Sequence, residues 1–204
     1  MKRFLTALTA GVLPAFGLLV SAQTIHAGSA TWKAIPASRD WNTATNWTPQ
    51  VIPNAASDTA TFATSDRTAV SISGGPPIYP EFSGYTVVNG IVFNAGASAF
   101  TINAPYPFEL KILGAGIANN SGNTQNFTGR FSFSFSPGAT SGSQNIFTIN
   151  GGRTRASSDG DFIRFYSGSA GNSTFILNGG TEKRDRWRDG FLRQFDCGRC
   201  FSYR

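Results

Sequence analysis

Two acidic residues and an arginine stand close together in the last quarter of the sequence. Asp159 and Asp161 flank a glycine, and Arg164 follows three positions later. Such a group can mimic the calcium-and-arginine site of a β-helical polysaccharide lyase. A Gly/Asp turn that leads into a strand at residues 162–166 explains the same residues without any chemistry. The sequence leaves both interpretations open.

Other catalytic arrangements have less support. The single histidine, His26, lies beside the N-terminal apolar segment, so the body of the chain has no histidine for nucleophilic catalysis. Glu81 and Glu109 have no local sequence support as a glycosidase pair. Cys197 and Cys200 form one Cys-x-x-Cys pair, whereas a zinc site needs four ligands. We therefore expect no enzyme activity, no metal and no cofactor, and we interpret the cysteines as a local disulfide.

Three of the four tryptophans, Trp32, Trp41 and Trp47, lie close together. Trp41 and Trp47 are six positions apart, so in a continuous strand both rings would face one way and could stack on sugar rings. Alternatively, the rings close the N-terminal end of a stacked β-fold, whose edge must be shielded from further pairing. The three tryptophans are therefore candidate carbohydrate contacts or structural caps.

The positive charge lies mostly at the two ends of the chain. The net charge of the 204 residues is +6, of which residues 181–204 contribute +3 and Lys2 and Arg3 contribute +2. Residues 23–180 carry a net charge of only +1, so a phosphate-binding face is not indicated and we expect no nucleic-acid partner.

The N-terminus has the pattern of a secretory signal peptide. Lys2 and Arg3 precede the uncharged apolar residues 4–20, and Val20-Ser21-Ala22 is a small-x-small cleavage pattern. We predict a signal peptide at residues 1–22 and a secreted or cell-surface protein. Membrane contact is then expected only through this segment or through a missing C-terminal anchor.

The body of the chain is predicted to be all-β. Short segments rich in Phe, Ile, Val and Thr alternate with Gly, Asn and Ser, at residues 59–62, 70–72, 90–93, 100–102, 108–112, 131–135, 146–149, 162–166 and 174–177. Phe-Thr-Ile-Asn at 100–103 recurs at 147–150, and Phe-Ile-Leu-Asn follows at 175–178. A repeat of this length cannot bury its apolar face alone, which favours stacking into a right-handed parallel β-helix or solenoid. A β-sandwich is the alternative.

The repeats predict structural corners at the ends of these strands. Asn side chains can bond the neighbouring repeat, and Asn and Gly tolerate the left-handed conformation of a corner. The predicted corner residues are Asn103, Asn150, Gly151, Gly152, Asn178, Gly179 and Gly180.

The tryptophan region and the repeats together resemble a known family. The frame Asp40-Trp41-Asn42-Thr43-Ala44-Thr45-Asn46-Trp47, followed by Pro49, Pro53 and residues 58–62, is similar to the N-termini of bacterial secreted β-strand-repeat proteins with autotransporter-like passenger domains. Residues 88–102 and the Asn-Gly-Gly repeats are also similar to that family. The resemblance covers residues 28–180 and implies a secreted or surface β-helix stalk. It identifies no catalytic residue.

The composition changes at Thr181. Residues 181–204 contain 11 charged residues, whereas the preceding 158 residues contain 15. An assumed coding sequence read one base later yields a segment similar to residues 165–173, at about the repeat distance. We interpret 181–204 as a basic tail, out of frame or disordered, and the chain as an N-terminal fragment of a longer repeat protein.

Four segments and two functional hypotheses follow. The segments are a signal peptide at 1–22, a Trp-rich cap at 23–62, a solenoid at 63–180 and the tail at 181–204. The favoured hypothesis is a non-enzymatic structural or adhesive β-solenoid that contacts surface glycans or other cell-surface molecules. The alternative is a carbohydrate-binding or polysaccharide-lyase-like protein on the same scaffold.

Overall fold

The fold is a β-solenoid of about five turns. The computed structural model describes residues 28–74, 84–133, 139–152 and 160–179. About 55% of the structure is strand, and the coils stack through parallel pairing. Only β1 and β2 pair in the antiparallel sense among the described strands. The prediction of a parallel solenoid is confirmed over the β-sandwich, because a sandwich of this kind is built from antiparallel strands.

Eleven strands are described. They are β1 (Ala30–Trp32), β2 (Trp47–Thr48), β3 (Ala55–Phe62), β4 (Ala69–Ser71), β5 (Tyr85–Phe93), β6 (Thr101–Ala104), β7 (Glu109–Asn119), β8 (Gln125–Phe133), β9 (Ser143–Asn150), β10 (Phe162–Phe165) and β11 (Asn172–Asn178). A single 3-10 turn at Ala44–Asn46 precedes β2 in the described part of the chain.

The parallel pairs form three columns of stacked strands. Column 1 contains β1 and the second halves of β3, β5 and β7. Column 2 contains β4, β6, the first half of β8, β9 and β11. Column 3 contains the first halves of β5 and β7, the second half of β8, and β10. The long strands β5, β7 and β8 therefore each belong to two columns.

Alternating side chains fill the space between the columns. Successive residues of a strand point to opposite faces, so every second residue enters the core. Along β5, Val88 is buried in column 3 and Ile91 and Phe93 are buried in column 1, and the alternation is interrupted by the register irregularity between Val88 and Gly90. Burying one large apolar side chain contributes about 1.5–3 kcal/mol, so each coil is stabilised mainly by the few residues that it directs inward.

A line of aromatic rings runs through the core along the solenoid axis. Phe62 stacks on Phe93 at a centroid distance of 5.2 Å, and Phe93 meets Phe127 edge-on at 6.2 Å. Phe127 stacks on Phe147 at 4.7 Å, and Phe147 stacks on Phe175 at 5.4 Å. We call these five rings the aromatic spine. It links the coils from β3 to β11.

Coil length varies while the columns stay in register. Hydrogen bonds between neighbouring coils include one that spans 23 positions and one that spans 35. The bend in β8 between columns 2 and 3 requires a glycine. Gly129 has a φ of 105°, and a Cβ atom there would collide with the carbonyl of Ala104 on the preceding coil.

Candidate functional site

The three tryptophans of the sequence motif lie in the core at the N-terminal end of the solenoid. Trp32, Trp41 and Trp47 have exposed fractions of 1%, 0% and 0%. Trp47 meets Trp32 and Trp41 edge-on, at centroid distances of 5.0 and 4.9 Å. All three rings also contact Phe62, the first ring of the aromatic spine.

Each indole nitrogen of this cluster has a backbone acceptor. Trp32 donates to the carbonyl of Arg67, Trp41 to that of Pro53 and Trp47 to that of Trp41. Because the rings are buried and their N–H groups are bonded internally, they present no face on which a sugar could stack. The burial argues against carbohydrate contact through these rings and favours the alternative that they close the end of the core.

The polar residues of the tryptophan motif hold the first two coils together. Asn46 is fully buried, and its side chain bonds Ser38 and the carbonyl of Asp40. The Asn42 side chain accepts the backbone N–H groups of Ser73 and Gly74 on the next coil. The Asp40 carboxylate accepts from the Thr43 hydroxyl at 2.7 Å and also from the Ser73 hydroxyl. These contacts give the motif a structural explanation.

Two of the predicted corner asparagines form a ladder between coils. The Asn178 side chain donates to that of Asn150 at 2.9 Å, 28 positions earlier, and β11 and β9 pair these two residues in register. Gly151 donates to the carbonyl of Asn178 at 3.0 Å. The predicted Asn contact between neighbouring repeats is therefore present at this corner.

Asn103 occupies a different place in the stack. Strand β6 pairs Asn103 with Thr128, and β9 pairs that threonine with Thr148 rather than with Asn150. The Phe-Thr-Ile-Asn copy at 100–103 is therefore displaced by two residues from the copy at 147–150. A shift of two positions keeps every side chain on its own face, so the sequence alternation could not reveal it. Asn103 therefore lies two positions away from the corner of Asn150, but its side chain accepts a hydrogen bond from Thr128 of the next coil.

Among the described residues, the glycines with left-handed backbone conformation differ from the predicted corner glycines. Positive φ angles occur at Gly116, Gly129, Gly142 and Gly171, among others, and neither Gly151 nor Gly179 is among them. Gly152 is the second residue after β9 and is half-buried. Gly180, Cys197 and Cys200 lie outside the described residues, as do the predicted signal peptide and tail.

A second set of polar corners was missed from the sequence. Gln125 is fully buried, accepts the Phe100 N–H at 2.7 Å and donates to the carbonyl of Ser98. Asn145 is buried one coil later and donates to the carbonyl of Ser141. The pairing of β8 with β9 places these two amide residues opposite each other in column 2. The signal that could have found them is a Gln-Asn pair just before the inward-facing Phe127 and Phe147, with one amide residue two positions before each ring.

The outer face of column 3 is the candidate functional site. Leu110, Ile112 and Phe131 of this column point into the core, so the alternate residues point outward. We define the outer face of column 3 as Tyr85, Glu109, Lys111, Arg130, Ser132, Phe162 and Arg164. Five of the charged side chains in the described residues lie on or beside this face, namely Glu109, Lys111, Arg130, Asp161 and Arg164.

Three polar residues form the buried floor of this face. Glu109, Arg130 and Ser132 have exposed fractions of 8%, 5% and 1%. The Ser132 hydroxyl bonds the Glu109 carboxylate, and the Arg130 Nε donates to the carbonyl of Gly160 at 3.2 Å. These contacts supply polar partners to groups that would otherwise be costly to bury.

Burial and neighbouring groups act on the pKa of Arg130. Burial lowers the pKa of the guanidinium, while Tyr106, Glu109 and Asp161 oppose the shift and Arg164 adds to it. An arginine remains protonated at neutral pH under such conditions. The floor therefore carries a fixed positive charge beside two carboxylates.

Aromatic rings and two further cations surround the floor. Arg130 lies 4.5 Å from the ring centroid of Tyr106, which is 43% exposed. Arg164 lies over the Phe162 ring at 3.8 Å. Lys111 lies over the Tyr85 ring at 3.1 Å. Each of these cations is attracted electrostatically by the ring face that it covers.

The lyase residues of the sequence hypothesis are only partly brought together. Asp161 accepts the backbone and side-chain N–H groups of Asn150, and Arg164 lies two residues into β10. Asp159 lies outside the described residues. In the described part of the chain, no three His, Cys, Asp or Glu residues are grouped so that they could hold a metal ion.

The fold and the face together define a class, the parallel β-solenoid proteins with a polar and aromatic outer face. Comparisons of the chain with protein-family models, with curated proteins and with solved structures found no match. No helix among the described residues has the length and hydropathy needed to cross a membrane.

Proposed function

We propose that this protein is a secreted or cell-surface structural or adhesive β-solenoid of the autotransporter-passenger-like kind. The observation that carries the proposal is the unbroken stack of parallel coils, which runs from the tryptophan cluster to β11. Such a stack has no need of a central cavity and displays its surface along its length. The N-terminal export pattern and the resemblance of residues 28–180 to secreted repeat proteins support the same proposal.

The first test concerns export. The full chain is expressed with its N-terminus intact in a Gram-negative bacterium, and cytoplasmic and exported fractions are separated. We expect an exported product whose N-terminal sequence begins at Gln23, because cleavage follows Ala22. Replacing Leu18 and Leu19 with arginine should retain the chain in the cytoplasm, since the apolar segment is interrupted. An exported, uncleaved chain in both forms would contradict the proposal.

The second test concerns adhesion. Beads coated with the purified chain are mixed with cells and with immobilised glycans, and beads coated with a denatured sample serve as the control. Adhesion spread over a long surface should survive any single substitution at an exposed residue, because each contact contributes little. Complete loss of adhesion on one such substitution would indicate a local site instead.

A carbohydrate-binding or lyase-like role is the second candidate, favoured by the outer face of column 3. A lyase should degrade an acidic polysaccharide in a calcium-dependent way and lose this activity in Asp161→Ala. Because Asp161 is already bonded to two N–H groups of Asn150, binding is better supported than bond cleavage. If the protein degrades the polysaccharide and Asp161→Ala abolishes that activity, the lyase role is favoured over binding alone.

A further inference from the structure

The outer face of column 3 has the features of a site for a charged polymer. We propose that it binds an anionic polysaccharide whose carboxylates contact Lys111 and Arg164 and whose sugar rings contact the nearby Tyr106. The proposal rests on the carbohydrate-binding candidate above and names the ligand class and the residues.

The two cations lie in one row across the coils. Strand β7 pairs Lys111 with Ser132 of β8, and β10 pairs Arg164 with the same serine. Neighbouring strands are about 4.8 Å apart, so the two backbone positions are separated by about 10 Å along the solenoid axis. An extended polymer that lies parallel to this axis can therefore meet both cations with one chain.

The carboxylates near this row are already engaged within the protein. Glu109 is bonded by Ser132, and Asp161 is bonded by Asn150. Lys111 and Arg164 instead contact the rings of Tyr85 and Phe162 and form no ion pair among the described residues. The two cations thus lie against aromatic faces, and no carboxylate of the described residues is paired with them.

The aromatic part of the site lies beside the cations. Phe162 pairs in register with Arg130, and Arg130 also lies beneath the ring of Tyr106. Tyr106 as a whole is 43% exposed, so the residue contacts Arg130 and also reaches solvent. Fixing the ring before binding reduces the entropy cost of a stacking contact.

The density of charge favours a polysaccharide over a nucleic acid. The face and the adjacent Asp161 together carry three cations and two carboxylates, and the backbone positions of Lys111 and Arg164 are about 10 Å apart. Double-stranded DNA carries one negative charge per about 1.7 Å of its axis. A polymer with one carboxylate per sugar matches the wide spacing of Lys111 and Arg164 better than DNA does.

The test compares two forms of one polymer. The purified full-length chain is titrated with polygalacturonate and with fully methyl-esterified polygalacturonate, and affinity is measured by biolayer interferometry at low salt. We expect binding to the acid form to be about tenfold tighter than to the ester. The double variant Lys111→Gln with Arg164→Gln should bind the acid form about tenfold more weakly.

A matched control removes the same charge elsewhere. Arg39 and Arg67 are exposed and lie outside column 3, so Arg39→Gln with Arg67→Gln should leave the affinity unchanged. Tyr106→Ala should weaken binding to the acid and to the ester alike, because its ring contacts sugar rather than charge. Circular dichroism of every variant checks that the fold is retained.

Each outcome has a distinct meaning. Equal binding of the acid and the ester, or an equal effect of both double variants, overturns the assignment of the cations while carbohydrate binding stands. Tighter binding of single-stranded DNA than of polygalacturonate overturns the proposed ligand class in favour of nucleic acid. No binding to either polysaccharide overturns both this inference and the carbohydrate-binding candidate, and the export test remains independent of it.

Discussion

Replacing Phe127 with alanine tests whether the aromatic spine holds the coils together. Phe127 is completely buried and stacks on Phe147 at 4.7 Å with an interplanar angle of 16°. It also meets Phe131 and Phe93 edge-on, at 5.7 and 6.2 Å. The substitution Phe127→Ala therefore removes three ring contacts and leaves a cavity in the middle of the stack.

The size of the effect follows from these contacts. Truncating a buried phenylalanine to alanine costs about 3–5 kcal/mol of unfolding free energy. Aromatic pairs contribute about 0.5–1.5 kcal/mol each beyond their buried area, so three of them place Phe127→Ala near the upper end, at about 4–5 kcal/mol. Leu177→Ala is the matched control, because its side chain is 77% exposed and its loss should change stability by less than about 0.5 kcal/mol.

Urea denaturation measures the loss with two probes. Tryptophan fluorescence reports mainly on the buried cluster at the N-terminal end, and far-ultraviolet circular dichroism reports on all coils. Neighbouring repeats of a solenoid are coupled mainly to each other, so the dichroism midpoint should fall further than the fluorescence midpoint. A loss in Phe127→Ala that equals the loss in Leu177→Ala would refute the assignment of Phe127 to the core.

Three further substitutions test the glycine bend, the buried asparagine and the tryptophan cluster. Gly129→Ala should cost about 1–3 kcal/mol more than Gly96→Ala in urea denaturation, because both glycines have positive φ but only Gly129 faces a backbone carbonyl. Asn46→Ala should lower the unfolding free energy by about 1–3 kcal/mol, since it leaves buried polar groups without partners, whereas the exposed neighbour Thr45 should tolerate alanine within about 0.5 kcal/mol. Equal losses in either pair would contradict the described packing. Trp41→Ala should lower the thermal midpoint, in line with a loss of about 3–5 kcal/mol, and leave glycan affinity unchanged below that midpoint; a selective loss of glycan affinity would restore the carbohydrate role of the ring.

The strands could be predicted from the sequence because their signal is local. An alternation of apolar and polar residues has the period of a strand, and each predicted segment overlaps a described strand. The repeat copies that contain Phe147 and Phe175 also pair in register in the structure. Phe100 shows that the alternation cannot predict the pairing register. Its copy of the repeat is shifted by two residues, and the alternation is identical in both registers.

The candidate site could not be assembled from the sequence because its residues belong to different coils of unequal length. Glu109, Arg130 and Phe162 meet on column 3, yet no fixed spacing connects them. The sequence could not decide between the two interpretations of the tryptophans for another reason. A period-two pattern places Trp41 and Trp47 on one side of a strand, but the chain between them contains a 3-10 turn rather than a continuous strand, and both rings turn inward.

The order of coils along the chain has a consequence for how the molecule assembles. The tryptophan cluster and the polar contacts around Asn42 and Asn46 use residues between 30 and 74 alone, apart from one contact of Asn42 with Thr86. Every later coil pairs with the coil just before it, so the sequence separation of these contacts stays near the length of one coil. Folding can therefore propagate from one formed coil to the next, and the N-terminal coils form a unit whose polar and aromatic contacts are nearly complete without the rest of the solenoid.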